Sequence, residues 1–290
     1  MLKSISLTLL LFVAVINYLD AQKTNLEDLF FYADVMVHAE AESHRLTALE
    51  EFKTRFEGFL DQPSSYSIPL ENTPYISTLI PPDSSFKLFT FQINERSGKS
   101  TDFGYIQLKE DNSYYALQPT KNLEDIEFEE LGTERWVSGL YYHMVPFVNN
   151  GKKHYLLFAY SQPSLYEKRK VLEVLSFDQG KPVFGAPVLI KRQETARNIE
   201  QYRKIYTYSA DVSMTIRDDQ ELGAVVIDHL MEVRSRIPGV SGNTFVPDGT
   251  YTAYFKDGGE WIYKDKLWGA GDVRAFKKEE PEQETKSRLF

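Results

Sequence analysis

The chain has 290 residues, of which 26% are charged and 42% are hydrophobic, and it contains no cysteine. The lack of cysteine excludes disulfides, thiolate zinc sites and cysteine nucleophiles. The formal net charge at pH 7 is −9. An acidic surface of this kind repels nucleic-acid phosphates and anionic lipid headgroups, so we expect neither as a partner.

Residues 1–21 have the three-part layout of a secretory signal peptide. Lys3 supplies a positive start, an apolar run extends from Ile5 to Ile16, and Ala21 offers a small residue at the predicted cleavage site. The run is too short to span a bilayer comfortably, and no later apolar run approaches 18 residues. We therefore expect an exported protein with no membrane span after signal removal. Export without disulfides is more typical of a bacterial periplasm or cell surface than of eukaryotic secretion.

Residues 22–62 carry apolar side chains at helical spacing, with Leu26 and Phe52 among them and charged residues between them. This pattern predicts one long helix, or two helices joined near Ser43–His44. Residues 63–85 are rich in proline and predict an extended strap across a surface.

From Phe86 the apolar period changes to two, which indicates β-strands, while Glu194–Gln201 predicts a helical turn. The short gaps between strands leave no room for crossover helices. We therefore predict a mainly β protein, in which a large antiparallel meander over residues 86–276 forms a barrel, a sandwich or propeller-like blades. Residues 277–290 predict a disordered charged tail. The predicted strands are Phe86–Asn94, Phe103–Lys109, Tyr114–Gln118, Trp136–Val148, Lys153–Tyr160, Val171–Phe177, Val183–Lys191, Tyr206–Ile216, Ala224–Leu230, Tyr251–Phe255 and Trp261–Tyr263.

Two residues on the predicted N-terminal helix have side chains that bind metals. His38 and Glu42 are four residues apart and would share a helix face, within reach of one ion. The spacing does not match the zincin motif, which needs two histidines at i and i+4. A solvated polar face is the alternative, and we predict no metal site.

Two pairs of residues are candidates for acid–base chemistry. Asp228 and His229 end an apolar strand, although neighbouring strand residues point to opposite faces of a sheet. His143 and His154 are expected to oppose each other across a hairpin turn at Asn149–Gly151. A structural role is the alternative for each. The chain has no Gly-x-Ser-x-Gly elbow, Walker loop or Rossmann fingerprint, so we predict no cofactor.

Aromatic residues make up 14% of the chain. In a β protein most of them should form the core and cross-strand pairs. Rings on a solvent face would instead stack on a sugar or anchor a protein partner. For that role the candidates are Trp136, Tyr141, Trp261 and Trp268.

Several sequence segments, or phrases, resemble those of secreted Bacteroidota proteins that form a family of unknown function. The resemblance covers most of the chain after the signal segment and implies a Gram-negative envelope location, but no catalytic residues. The charged tail does not look like the β-domain that sorts many such proteins to the cell surface, which favours the periplasm. The phrases are Phe86–Asn94, Phe103–Leu108, Lys170–Phe177, Pro182–Gly185, Val226–Leu230 and Pro247–Tyr251.

The sequence favours a non-catalytic envelope protein that binds a protein or glycan partner through its sheet face and loops. The alternative is a periplasmic hydrolase whose acid–base residues come from separate loops. An enzyme requires histidines and carboxylates that converge in one pocket, whereas a binding module requires an aromatic surface patch.

Overall fold

The computed structural model describes residues 26–70 and 75–268, without the side chain of Trp268. The predicted signal segment 1–21 and the predicted tail 277–290 lie outside the described residues. Across the described ranges the chain forms two helices and fifteen strands, which confirms a mainly β fold. Within them, no helix is both long and apolar enough to cross a lipid bilayer.

The N-terminal helical segment consists of two helices, α1 (residues 26–38) and α2 (Glu42–Leu60). The break lies at residues 39–41, slightly before the predicted joint. There the Arg45 guanidinium donates to the carbonyl of Ala39 at 2.7 Å, and so caps the end of α1. The buried face of α2 includes Phe52 and Phe56, which pack against the first sheet.

The strands follow in chain order, with short 3₁₀ turns at Ser65–Ser67 and Ile126–Phe128. The first eight are β1 (Ser77–Leu79), β2 (Phe86–Asn94), β3 (Ser100–Leu108), β4 (Tyr114–Leu117), β5 (Leu140–Asn149), β6 (Lys152–Ser161), β7 (Glu167–Asp178) and β8 (Lys181–Phe184). The remaining seven are β9 (Leu189–Lys191), β10 (Ile199–Gln201), β11 (Arg203–Ser209), β12 (Ile216–Asp219), β13 (Ala224–Arg234), β14 (Asn243–Asp257) and β15 (Glu260–Trp268).

These strands form three sheets. The first has the order β1-β2-β3-β4, and the second has the order β11-β7-β6-β5, with β8 added alongside β7. The third has the order β10-β9-β15-β14-β13-β12. The described pairs are antiparallel except for β15 and β9, which run parallel. The predicted antiparallel character is therefore confirmed, with one exception.

The helices and the three sheets form four layers, which are joined by three hydrophobic cores. The first core lies between the helices and one face of the first sheet, and it contains Phe89 and Phe91. The second core joins the opposite face of that sheet, including Leu88, to the second sheet. The third core joins the second sheet to the third sheet through Leu156 and other apolar residues. Alternate residues of one strand thus enter different cores, and the second sheet is covered on both faces.

Several predicted elements differ from the structure. The predicted strand Val183–Lys191 is two strands in different sheets, because Gly185 turns the chain with a φ of +96°. Tyr206–Ile216 likewise divides into β11 and β12. The helical turn predicted at Glu194–Gln201 is wrong, since its last three residues form the edge strand β10. The predicted strap includes a 3₁₀ turn and β1, which pairs with β2.

The strands β13 and β14 extend beyond the rest of the third sheet. The pairing of β12 with β13 ends at Ile227, and the pairing of β15 with β14 ends at Tyr251. Further out, the pairings within residues 26–70 and 75–268 join β13 and β14 to each other alone, from Leu230 opposite Pro247 to Arg234 opposite Asn243. We call this two-stranded part, residues 229–250, the ribbon.

Candidate functional site

The predicted histidine pair does not form. The register places His154 opposite Phe147, and His143 opposite Phe158. The His154 ring stacks on Phe147 with 5.3 Å between centroids, and its Nδ1 lies 2.9 Å from the carbonyl oxygen of Lys152. Burial lowers the pKa of His154. This geometry gives His154 a packing role in the third core.

Asp228 and His229 also have separate partners. The Asp228 carboxylate accepts a 2.7 Å hydrogen bond from the backbone N–H of Thr215. His229 Nδ1 lies 2.8 Å from the carboxylate of Asp248, at the base of the ribbon. Partial burial raises the pKa of Asp248, but hydrogen bonds from Thr250 and His229 outweigh this effect and lower the pKa to about 2. Asp228 and His229 therefore do not act as one acid–base pair.

His38 and Glu42 do not share a helix. His38 lies at the end of α1, with its Nδ1 3.0 Å from the carboxylate of Asp34, whereas Glu42 begins α2. The Glu42 carboxylate accepts a hydrogen bond from the backbone N–H of Arg96 at 3.2 Å. The prediction that these two side chains share a helix face is therefore wrong. Over residues 26–70 and 75–268, no group of three or more metal-ligating side chains is close enough to hold an ion.

The aromatic residues predicted to face solvent are buried. Trp136 and Tyr141 are 0% exposed, and Trp261 is 2% exposed. The Trp136 indole N–H donates to the Tyr141 hydroxyl at 2.9 Å inside the second core. Trp136 and Tyr141 lie in the second core and Trp261 lies in the third core, so the prediction of a solvent-facing stacking surface is wrong for these three residues. Trp268 is the fourth candidate, and its side chain lies outside the described part.

A β-bulge in β5 creates a different cluster. The register between β5 and β6 shifts between Tyr141 and His143, so Tyr142 is the extra residue. Tyr142 and His143 both contact Phe158, with ring centroids at 6.1 Å and 5.0 Å. Two consecutive side chains therefore lie on the face that meets the third sheet, whereas a regular strand would separate them.

Lys170 of β7 lies on the same face of the second sheet. Its Nζ is 4.1 Å from the centroid of the Tyr142 ring and 5.3 Å from the centroid of the Tyr160 ring, which are cation–π distances. Tyr160 and Tyr206 are its neighbours on the adjoining strands. Tyr142 is 38% exposed, so the cluster is open to solvent on one side.

The third sheet closes the cluster from the opposite side. The Tyr142 hydroxyl donates to the carbonyl of Ile216 at 3.4 Å, and His143 Nε2 lies 3.5 Å from the carboxylate of Asp218. Both contacts are to β12. We call Tyr142, His143, Tyr160, Lys170 and Asp218 the tyrosine–lysine site.

The electrostatics of the site favour an anion. Among the described residues, Lys170 has no hydrogen bond or ion pair, and burial lowers its pKa. Burial also raises the pKa values of Tyr142 and Tyr160, with the charge of Asp102 adding to the effect on Tyr160. The tyrosines are therefore neutral at physiological pH. A half-buried ammonium group without a counter-ion is stabilised when an anion replaces its remaining water.

Sequence reasoning found one residue of this site, His143, and placed it in a different pair. The segment Lys168–Lys170 is typical of a solvated run of charged residues. Nothing in it indicates that its middle residue faces the second core while its two end residues face the third core. The bulge at Tyr142 has no Gly or other sequence marker. Only the three-dimensional pairing of β5, β7 and β12 assembles the site.

Comparisons of the chain with protein-family models, with curated proteins and with solved structures find no match. No residue role is therefore carried over from a relative, and the function proposed for this chain rests on the geometry of the site.

Proposed function

We propose that the protein is an exported, non-catalytic binding protein of a bacterial cell envelope, with the periplasm as its compartment, and that its ligand binds at the tyrosine–lysine site. The observation that carries this proposal is Lys170, a half-buried cation that is flanked by aromatic rings and forms no ion pair with a carboxylate among the described residues. The exposed ring of Tyr142 supplies a surface for a ligand body next to that charge.

The distribution of acid–base groups supports binding over catalysis. His143, His154 and His229 contact different partners in different parts of the β layers, namely Asp218, Phe147 and Asp248. Combined general acid and general base catalysis requires two titratable groups that converge on one bound substrate. The described residues give that convergence at none of these three positions.

A ligand screen tests the proposal. We would measure thermal shifts and protein-detected NMR spectra with a panel of sugars, organic acids, amino acids and short peptides. Hits should bind the wild type, lose binding in Lys170→Met and keep it in Lys191→Met. Lys191 is a matched control because its Nζ lies 5.4 Å from the Tyr263 ring, but its side chain is exposed at the end of β9. Hits that bind equally to both variants would place the ligand elsewhere and contradict the proposal.

One observation favours a second candidate function, a hydrolase. The half-exposed His143 and the carboxylate of Asp218 form a contact at the edge of the same site, and an oriented histidine can act as a general base. His143→Ala distinguishes the two functions. A hydrolase turns over at least one of the screened compounds and loses that turnover by about 100-fold or more in this variant, whereas a binding protein turns over none of them in either form.

A further inference from the structure

The charged side chains around the tyrosine–lysine site carry a small net positive charge. Lys168 lies two residues before Lys170 on the same face of β7, and its Nζ donates to the carbonyl of Val212 at 3.2 Å. Asp218 is the carboxylate on the opposing strand β12. The two ammonium groups and the one carboxylate together leave a net charge of about one positive unit.

This excess matches a monoanion. A carboxylate neutralises it, whereas a phosphate dianion would place a second negative charge beside Asp218, where the low local dielectric strengthens repulsion. A neutral ligand would leave the positive charge of the half-buried Lys170 without a counter-ion. The chain as a whole has a formal charge of −9, so a local positive excess also departs from the rest of the protein.

The walls of the site are aromatic. The rings of Tyr142 and Tyr160 flank the ammonium group, and the buried ring of Tyr208 lies opposite Lys168 on β11. The hydroxyls of Tyr142 and Tyr160 already donate hydrogen bonds, to Ile216 and Gln162. What these side chains offer a ligand is ring surface, which binds apolar groups and the C–H faces of sugars.

The geometry points to a ring-bearing monocarboxylate as the ligand, with its carboxylate on Lys170 Nζ and its ring against Tyr142. Uronic acids and aromatic acids share this chemistry. The inference rests on the proposed function, because it names the ligand class of the same site. Burial lowers the pKa of Lys170, and a bound carboxylate would oppose that shift.

Isothermal titration calorimetry on the purified protein tests this inference with glucuronate and benzoate as the acids. Glucose and benzyl alcohol are their neutral counterparts, and inorganic phosphate is the competing anion. We expect at least one acid to bind about tenfold or more tightly than its neutral counterpart, since a charge-assisted hydrogen bond is gained. Lys170→Met should lower that affinity by about tenfold or more, Lys170→Arg should retain it within about threefold, and Lys191→Met should leave it unchanged.

Three outcomes would overturn the inference. Equal affinity for an acid and its neutral counterpart would show that charge does not select the ligand. Tighter binding of phosphate would show that the site takes a dianion. In either case, a loss of binding in Lys170→Met would leave the proposed function standing. No binding by any of these probes overturns the ligand class, and the proposed function fails only if the wider screen also gives no Lys170-dependent hit.

Discussion

The guanidinium Nε of Arg203 donates to the Glu173 carboxylate at 2.8 Å, and both side chains are 0% exposed. The pair joins neighbouring strands of the second sheet, β11 and β7, on the face that meets the second core. Arg203 also donates to the carbonyls of Glu129 and Phe184, at 2.9 and 3.0 Å, and to that of Ile126. One side chain thus fixes the loop around the second 3₁₀ turn and the end of β8 to the sheet.

Arg203→Met should destabilise the protein strongly, because it leaves the Glu173 carboxylate buried without its partner. We expect a loss of about 3–5 kcal/mol in the free energy of unfolding, measured by urea denaturation. The double variant Arg203→Met/Glu173→Met should lose less than Arg203→Met alone. Arg135→Met is the matched control, since Arg135 forms an exposed ion pair with Glu129 and should cost no more than about 1 kcal/mol. Equal losses in the two single variants would contradict the argument.

Gly185→Ala should disturb the same buried guanidinium. A Cβ at Gly185 would lie 2.6 Å from Arg203 Nη2 and 2.9 Å from the carbonyl oxygen of Glu129. Gly180→Ala is a matched control because Gly180 also has a positive φ, but has nothing within 4 Å of the added Cβ. We expect Gly180→Ala to cost about 1–2 kcal/mol from backbone strain alone. Gly185→Ala should cost a further ~1–3 kcal/mol in urea denaturation, and similar values for both would disprove the contact argument.

Asp102 should make stability depend on pH. Its side chain is buried at the edge of the second core and accepts a 2.8 Å hydrogen bond from Gln92. Burial raises the pKa of Asp102 to about 6, although hydrogen bonds from Gln92 and Ser138 oppose the shift. The folded protein therefore binds this proton more tightly than the unfolded chain does. The stabilisation is complete below about pH 4 and is lost as the pH rises through about 6.

Asp102→Asn removes this titration. At pH 7 the variant should be more stable than the wild type by up to about 3 kcal/mol, and at pH 4 the difference should vanish. Urea denaturation at pH 4, 5.5 and 7 measures both values. Glu221→Gln changes an exposed carboxylate and should leave the profile of the wild type unaltered. A constant offset between the Asp102→Asn and wild-type profiles would count against a raised pKa.

Tyr141→Phe should destabilise the second core by about 1–3 kcal/mol, because the buried Trp136 indole N–H loses its acceptor. Thermal unfolding followed by near-UV circular dichroism reports both the loss and any change around Trp136. Tyr142→Phe is the neighbouring control, since its hydroxyl makes a longer contact near the surface. It should cost less than about 1 kcal/mol, and a larger loss there than in Tyr141→Phe would refute the prediction.

The first sheet was the most predictable part of the fold. The predicted strand Phe86–Asn94 coincides with β2, since large apolar side chains occur throughout it and a Ser97–Gly98 turn follows. The division of Val183–Lys191 into two strands was harder to predict, because an apolar run continues through the point at which the chain changes sheet at Gly185. The edge strand β10 has no apolar alternation, and it forms only because β9 offers it a backbone partner.

The stacking of sheets explains why the predicted binding residues were wrong. We expected a sheet with one solvent face, on which Trp136 or Trp261 would be accessible. In a stack of layers the faces that meet are covered, and Trp136 and Trp261 both lie in the cores between layers. Accessible chemistry then occurs at the edges of the layers, where Tyr142, Lys170 and Asp218 meet. These residues come from β5, β7 and β12, and no local pattern relates them.

The parallel pairing of β15 with β9 has a consequence for the order of folding. Leu189 pairs with Trp261, far later in the chain, so the edge β9–β10 joins the third sheet only after β15 has been made. Contacts between distant segments form slowly because a long loop must close first. On a growing chain, the helices and the first sheet can assemble early while β9 waits with its apolar face uncovered. A growing chain therefore needs protection from aggregation until β15 has been made.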